Sequence, residues 1–187
     1  MAYTGGCIRV YGQHGETMGN VTSSEALSLR WAEVMNDPAL HDLPYKIELN
    51  NYGKIEMSPA SNRHGRLQIL IGAELLRQLP DGIVINEAAI LTDLGVRVPD
   101  VAWGSAAFRQ THGESTPYSA APEICIEIVS PSNSDEEMRQ RIKAYLAAGA
   151  QEVWLVSEEG AIRYFNRIAE QANTAFQISI SLPPPIS

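Results

Sequence analysis

Two apolar stretches, Val98-Pro99-Asp100-Val101-Ala102-Trp103 and Ile124-Cys125-Ile126-Glu127-Ile128-Val129, each carry a carboxylate where a buried strand should have none. An ionised carboxylate taken out of water without a partner costs several kcal/mol. Two of them on neighbouring strands repel unless a cation or a shared proton lies between them. The helix-like segment after the second stretch supplies a lysine, Lys143. These residue types suit a divalent metal held by Asp100 and Glu127, with Lys143 positioning an attacking water and offsetting charge on a scissile phosphate. Oxygen-only ligands in a partly open site favour Mg²⁺, with Mn²⁺ as a substitute. Taken singly, each acid is explained as well by an edge position or an arginine partner. The pair followed by a lysine favours the metal.

The elements that must position these groups can be read from periodicity. Alternation puts Val98, Asp100 and Ala102 on one strand face, and Glu123, Cys125, Glu127 and Val129 on one face of the next. Both faces are mostly apolar, as in a strand covered by helices on both sides. After Ser130-Pro131, the Ser134-x-x-Glu137 capping box opens a helix that stops at Gly149. Its stripe of Met138, Ile142, Tyr145 and Leu146 faces the core, with Lys143 at the shoulder.

Upstream, Thr22-x-x-Glu25 predicts a helix over 23–36, and Tyr45 to Leu49 with Lys54 to Met57 predict a hairpin turned at Asn50-Asn51-Tyr52-Gly53. Ser58-Pro59 is expected to start a long helix reaching about Leu79. Leu67, Leu70, Ile71 and Leu75 form one stripe, and Ile69, Ala73 and Leu76 a second. A helix apolar on two sides makes a homodimer a plausible expectation, with C₂ symmetry as the common default. Ile83 to Asn86, Gly95 to Trp103, Gln151 to Val156, Ile162 to Phe165 and Phe176 to Ile180 read as strands, with a polar loop over 105–122. Cys7 to Tyr11 could pair as an edge strand. The expected organisation is a flexible segment 1–20, a single domain 21–182 and a Pro-rich tail 183–187. The expected class is α/β, a mixed β-sheet flanked by helices with an added N-terminal helix and β-hairpin.

Bulk properties narrow the function. With 14 basic and 22 acidic residues the net charge is −8, which disfavours a protein that coats nucleic acid. It leaves room for an enzyme that holds one phosphate through a cation, because the ion reverses the local field. No apolar run approaches the roughly 18–20 residues a membrane helix needs, so no membrane partner is expected. Cys7 and Cys125 are far apart, and the N-terminus lacks the pattern of a secretory signal. A cytoplasmic setting is the expectation. There is no glycine-rich phosphate loop, zinc-spaced Cys/His cluster or Gly-x-Ser-x-Gly elbow.

The motifs extend well beyond the two acids. Pro99-Asp100 followed by Glu127-Ile128-Val129 resembles the PD-(D/E)xK nuclease signature, with Val129 where that motif has its lysine. Tyr45-Lys46-Ile47-Glu48-Leu49, Gly53-Lys54-Ile55-Glu56-Met57-Ser58-Pro59, His64-Gly65, Val96 to Trp103, Glu127 to Ser132 and Lys143 to Gly149 together resemble the Uma-two family of restriction-endonuclease-like proteins, over about residues 25–165. The resemblance implies a restriction-endonuclease-like core, Mg²⁺ dependence and DNA as substrate. It also implies Asp100 and Glu127 as ligands, with the Ile128 carbonyl as a third. Lys143 would substitute from the helix for the missing strand lysine.

Three further residues bear on the site. His64 shares the helix side of Leu67 and Ile71. A helix N-terminus would keep it neutral and able to hold a water, while a histidine satisfied beside a cap is the competing reading. Glu48 and Glu56 could enter from the hairpin. Two other functions compete with a metal-dependent nuclease: a catalytically inactive nuclease fold serving as a binding or assembly module, and a metal-free acid/base enzyme using the two carboxylates.

Overall fold

The computed structural model describes Ile8–Arg9 and residues 22–186. Among these, eleven strands divide between two sheets. The first runs in the order β1-β3-β2-β6-β5. It contains β1 (Ile8–Arg9), β2 (Tyr45–Asn50), β3 (Ile55–Pro59), β5 (Ile90–Thr92) and β6 (Gly95–Arg97), all antiparallel. The second runs β11-β10-β9-β8-β7-β4. It contains β4 (Ile83–Asn86), β7 (Val101–Gly104), β8 (Ile124–Val129), β9 (Glu152–Ser157), β10 (Ile162–Phe165) and β11 (Glu170–Gln171). Here β8 and β9 are parallel and the other pairs antiparallel. Four helices complete the mixed α/β architecture: α1 (Ser24–Asn36), α2 (Asn62–Gln78), α3 (Ala106–His112) and α4 (Asp135–Ala148).

The near-continuous apolar character of β7 and β8 has the expected cause: helices cover both faces of the second sheet. On one side Leu67, Ile71 and Leu75 of α2 pack against Val101, Ile124, Ile126 and Trp154. On the other, Ile142, Tyr145 and Leu146 of α4 pack against Cys125, Val153 and Leu155. The first sheet is backed by α1, whose Leu27, Trp31 and Val34 meet Leu49, Val96 and Val98.

Several boundaries differ from the sequence reading. The expected strand over 95–103 splits: β6 belongs to the first sheet and β7 to the second. Pro99 lies at the break, where it has no N–H for a ladder and constrains Val98 before it. The long helix starts at Asn62 rather than Ser58, because Pro59 closes β3 opposite Tyr45 and the Ser61 side chain caps the His64 N–H. Ser23, not Thr22, caps α1, accepting from the Ala26 N–H. The expected polar loop contains α3, capped by Ser105.

Residues 176–180 are not a strand. The chain turns at 175–176 and Gln177 adopts φ 57°, which breaks a strand, yet Phe176, Ile178 and Ile180 still pack on the α2 core. The Gln78 side chain stands in for a ladder, donating to the Ser179 carbonyl and accepting its N–H. The anticipated second stripe of α2 faces solvent, with Ile69 69% and Leu76 53% exposed. Of the segment 1–20, only β1 lies inside the described residues.

Candidate active site

The two acids converge. β7 and β8 pair Val101 with Ile126 and Ala102 with Cys125, so one further step of the same register sets Asp100 opposite Glu127. The Asp100 N–H donates to the Ile126 carbonyl at 2.9 Å and holds the residue there. Each carboxylate has one oxygen secured by the protein. Asp100 Oδ2 accepts the Ile128 N–H at 2.7 Å. Glu127 Oε1 accepts from the Tyr145 hydroxyl at 2.7 Å and from Arg141 at 3.0 Å. The remaining oxygens turn toward one point, occupied by the ammonium of Lys46: Asp100 Oδ1 is 2.8 Å from it and Glu127 Oε2 3.5 Å.

Lys46 comes from β2, where Lys46 and Glu48 alternate with Ile47 and Leu49. The apolar pair faces α1, so the charged pair faces the second sheet. His64, in the first turn of α2, places Nε2 3.0 Å from Asp100 Oδ1. Glu48 and Glu56 are directly opposed across the hairpin, an arrangement that repels unless bridged. Arg97 bridges them, 2.6 Å from Glu56 and 3.3 Å from Glu48. Arg141 grips Glu48 with both terminal nitrogens. A cavity of about 500 Å³ opens onto this cluster, rimmed also by Pro59, Ser130 and Asn133.

Lys143 is not brought to the pair. It is exposed on α4 and acts on Glu136 at the helix surface. Two residues along a helix turn the side chain roughly 200°, so Lys143 points away when Arg141 faces the acids. Lys46, from the opposite sheet, stands where Lys143 was expected. Lys46, Arg97, Arg141 and Tyr145 are not among the expected site residues. The signal for Arg141 was the one that singled out Asp100: a charge on an otherwise buried stripe, three residues after Met138 and four before Tyr145.

Electrostatics separates the two acids. Burial pushes Asp100 up, but Lys46 and then His64 more than reverse it and hold the carboxyl at about 2. Burial likewise raises Glu48, and the Arg141 guanidinium brings it down to about 2. Glu127 stays above the usual carboxylate range: burial raises it, the nearby Asp100 and Glu48 add to this, and Lys46 with Arg141 do not fully compensate. Burial would lower Lys46, yet Glu127 and Asp100 keep its ammonium above the ordinary lysine value.

The donor set suits a hard divalent cation. Two anionic oxygens meet at one point, and four carboxylates (Asp100, Glu127, Glu48, Glu56) face three full cations (Lys46, Arg97, Arg141). Among the described residues no cluster of three or more His, Cys, Asp or Glu is arranged to hold a metal. The two carboxylates would therefore need further oxygens from backbone, water or phosphate. No helix among the described residues is long and apolar enough to cross a membrane.

Comparison with known proteins agrees with this architecture. A crystal structure of a putative nuclease belonging to DUF820 from Anabaena variabilis superposes with a TM-score of 0.55 at 20% identity, covering 64% of this chain and 72% of that one. That similarity concerns the fold. No curated protein matches the sequence. The family profile described as "Uma2: Putative restriction endonuclease" matches residues 37–185, a span that includes Lys46, His64, Asp100, Glu127 and Arg141. With most of its length matched, the chain belongs to the Uma2 family of putative restriction endonucleases.

Proposed function

We propose that this protein is a divalent-metal-dependent endonuclease that hydrolyses DNA phosphodiester bonds. The observation that carries the reading is the convergence of Asp100 Oδ1 and Glu127 Oε2 on one cation position, held here by the Lys46 ammonium, which a divalent ion would take over with the lysine displaced to its side. Asp100 and Glu127 would hold the ion, Mg²⁺ or Mn²⁺ in class, with the Ile128 carbonyl as a third oxygen. When bound, such an ion supplies a polarised water and neutralises charge on the phosphate.

The protein's own groups do the rest. Lys46 takes the part expected of Lys143: its ammonium, within reach of both acids, orients the attacking water and offsets charge developing on the scissile phosphate. His64 donates from Nε2 to Asp100 Oδ1 when that nitrogen carries the proton, fixing the carboxylate's orientation. Self-association through the exposed Ile69 and Leu76 of α2 is part of the same reading. Sedimentation of Leu76→Asp against the parent chain would test it.

Plasmid and oligonucleotide cleavage with Mg²⁺ or Mn²⁺, with and without chelator, tests the assignment. Asp100→Asn, Glu127→Gln and Lys46→Met should each lose about 10²-fold or more in rate, while Lys143→Ala stays near the parent. A parent chain that cuts neither DNA nor RNA with either metal would overturn the reading in favour of a non-catalytic module. Turnover that survives chelation would do so in favour of metal-free acid/base chemistry.

A further inference from the structure

Glu48 and Arg141 form a buried ion pair, and stability alone does not account for it. Apolar side chains of similar volume often serve as well in such places. What the pair touches is more informative. Glu48 Oε1 accepts the Val98 N–H at 2.8 Å, at the point where the chain leaves β6, passes Pro99 and delivers Asp100 to the second sheet. The same oxygen accepts from Arg141 Nη1 at 2.8 Å, and that nitrogen lies 3.0 Å from Glu127 Oε1. Tyr145, one turn further along α4, donates its hydroxyl to that same Glu127 oxygen. One carboxylate on β2 thus ties down the backbone that carries Asp100 and, through a guanidinium, the side chain of Glu127.

We propose that Glu48, Arg141 and Tyr145 are a positioning brace that sets the spacing and orientation of Asp100 and Glu127 for a divalent cation. The inference rests on the metal-site reading above and assigns three residues to it. Arg141 and Tyr145 both engage Oε1, which leaves Oε2 as the oxygen turned to the Lys46 ammonium that Asp100 Oδ1 also meets. A planar guanidinium can hold Glu48 with two nitrogens and still reach Glu127, so it links the two acids in one rigid unit. Groups that orient metal-binding side chains typically matter about 10–100-fold in metal affinity.

Calorimetric titration of Mn²⁺ into the full chain tests this, comparing the parent with Tyr145→Phe, Arg141→Gln and Glu48→Gln, each followed in parallel by urea unfolding. Tyr145→Phe keeps the ring in the core, so its folding should be intact even if the charge variants are too unstable to read. It should bind Mn²⁺ about 10-fold more weakly with an unfolding midpoint close to the parent's. Its DNA cleavage should recover at saturating Mn²⁺, because mass action corrects a positioning defect and does not correct a damaged fold. A parent that binds Mn²⁺ and a Tyr145→Phe chain that binds it equally well would overturn the brace alone. A parent that binds no Mn²⁺ would overturn the metal site itself, and the brace with it.

Discussion

Burial pushes Asp100 and Glu127 alike toward their protonated forms, and what separates them is the balance of charge on each. Lys46 and His64 both lie on Asp100 Oδ1, whereas Glu127 shares its cations with Glu48 and has Asp100 as a neighbour. Removing the two charges should therefore move stability in opposite directions. Asp100 is held at about 2, below its unfolded value, so its carboxylate stabilises the fold above roughly pH 4, and that contribution disappears as pH falls toward 2. Asp100→Asn should cost about 2 kcal/mol at pH 7. Glu127 is held above its unfolded value, so ionising it opposes folding, and Glu127→Gln should stabilise the protein at pH 7. That gain should vanish on acidification at a higher pH than the Asp100→Asn loss does. Urea titrations across pH 2–7 would check both, and a shared sign at pH 7 would refute the charge assignment. The acids were legible in the sequence because a charge inside an apolar run violates its pattern. The ammonium between them was not, because Lys46 and Asp100 are 54 residues apart and meet only across two sheets.

Among the elements, the decisive one is the split at 98–100. The apolar run over 95–103 reads as one strand because alternation continues through Pro99, but a proline without an N–H cannot hold a ladder there. The chain passes from one sheet to the other and carries Asp100 into the cleft between them. Gly95 begins β6 with φ +111°, and a Cβ there would lie 2.1 Å from the Leu49 carbonyl oxygen. Gly95→Ala should therefore loosen the β2–β6 pairing, costing at least about 1–3 kcal/mol from backbone strain. Gly65, helical in α2 with open space around it, should respond the other way, with Gly65→Ala gaining up to about 1 kcal/mol. Thermal unfolding of the two variants separates a close-contact glycine from a dispensable one. Helix α4 was read with its cap and stop in place, because Ser134 and Gly149 act within a few residues of themselves. The start of α2 was misplaced: Pro59 fits a helix's first turn as readily as a strand end, and only pairing with Tyr45 decides between them.

For the molecule as a whole, the C-terminal strap links stability to the core under the site. Glu152, buried in β9, accepts the Trp154 indole N–H, the Thr174 hydroxyl and the Ala175 N–H, anchoring the strap where it begins. Phe176 then meets Trp103 edge-on at 5.6 Å, and Ile178, Ile180 and Leu182 continue along the α2 core. Ending the chain after Gln171 should cost about 4 kcal/mol, at about 1 kcal/mol per half-buried side chain, with a change in tryptophan fluorescence as Trp103 becomes exposed. An unchanged unfolding midpoint would show that the strap contributes nothing. Local periodicity and capping were enough to identify α1, α2 and α4, the hairpin at 45–59, the strand pair β9–β10 and the two anomalous acids, since each depends on residues a few positions apart, whereas the short α3 was read as loop. The division into two sheets, the arrival of Lys46, Arg97 and Arg141, and the outward turn of Lys143 were settled by packing between elements. Those contacts join segments tens of residues apart, and no short-range pattern encodes which charged faces will meet.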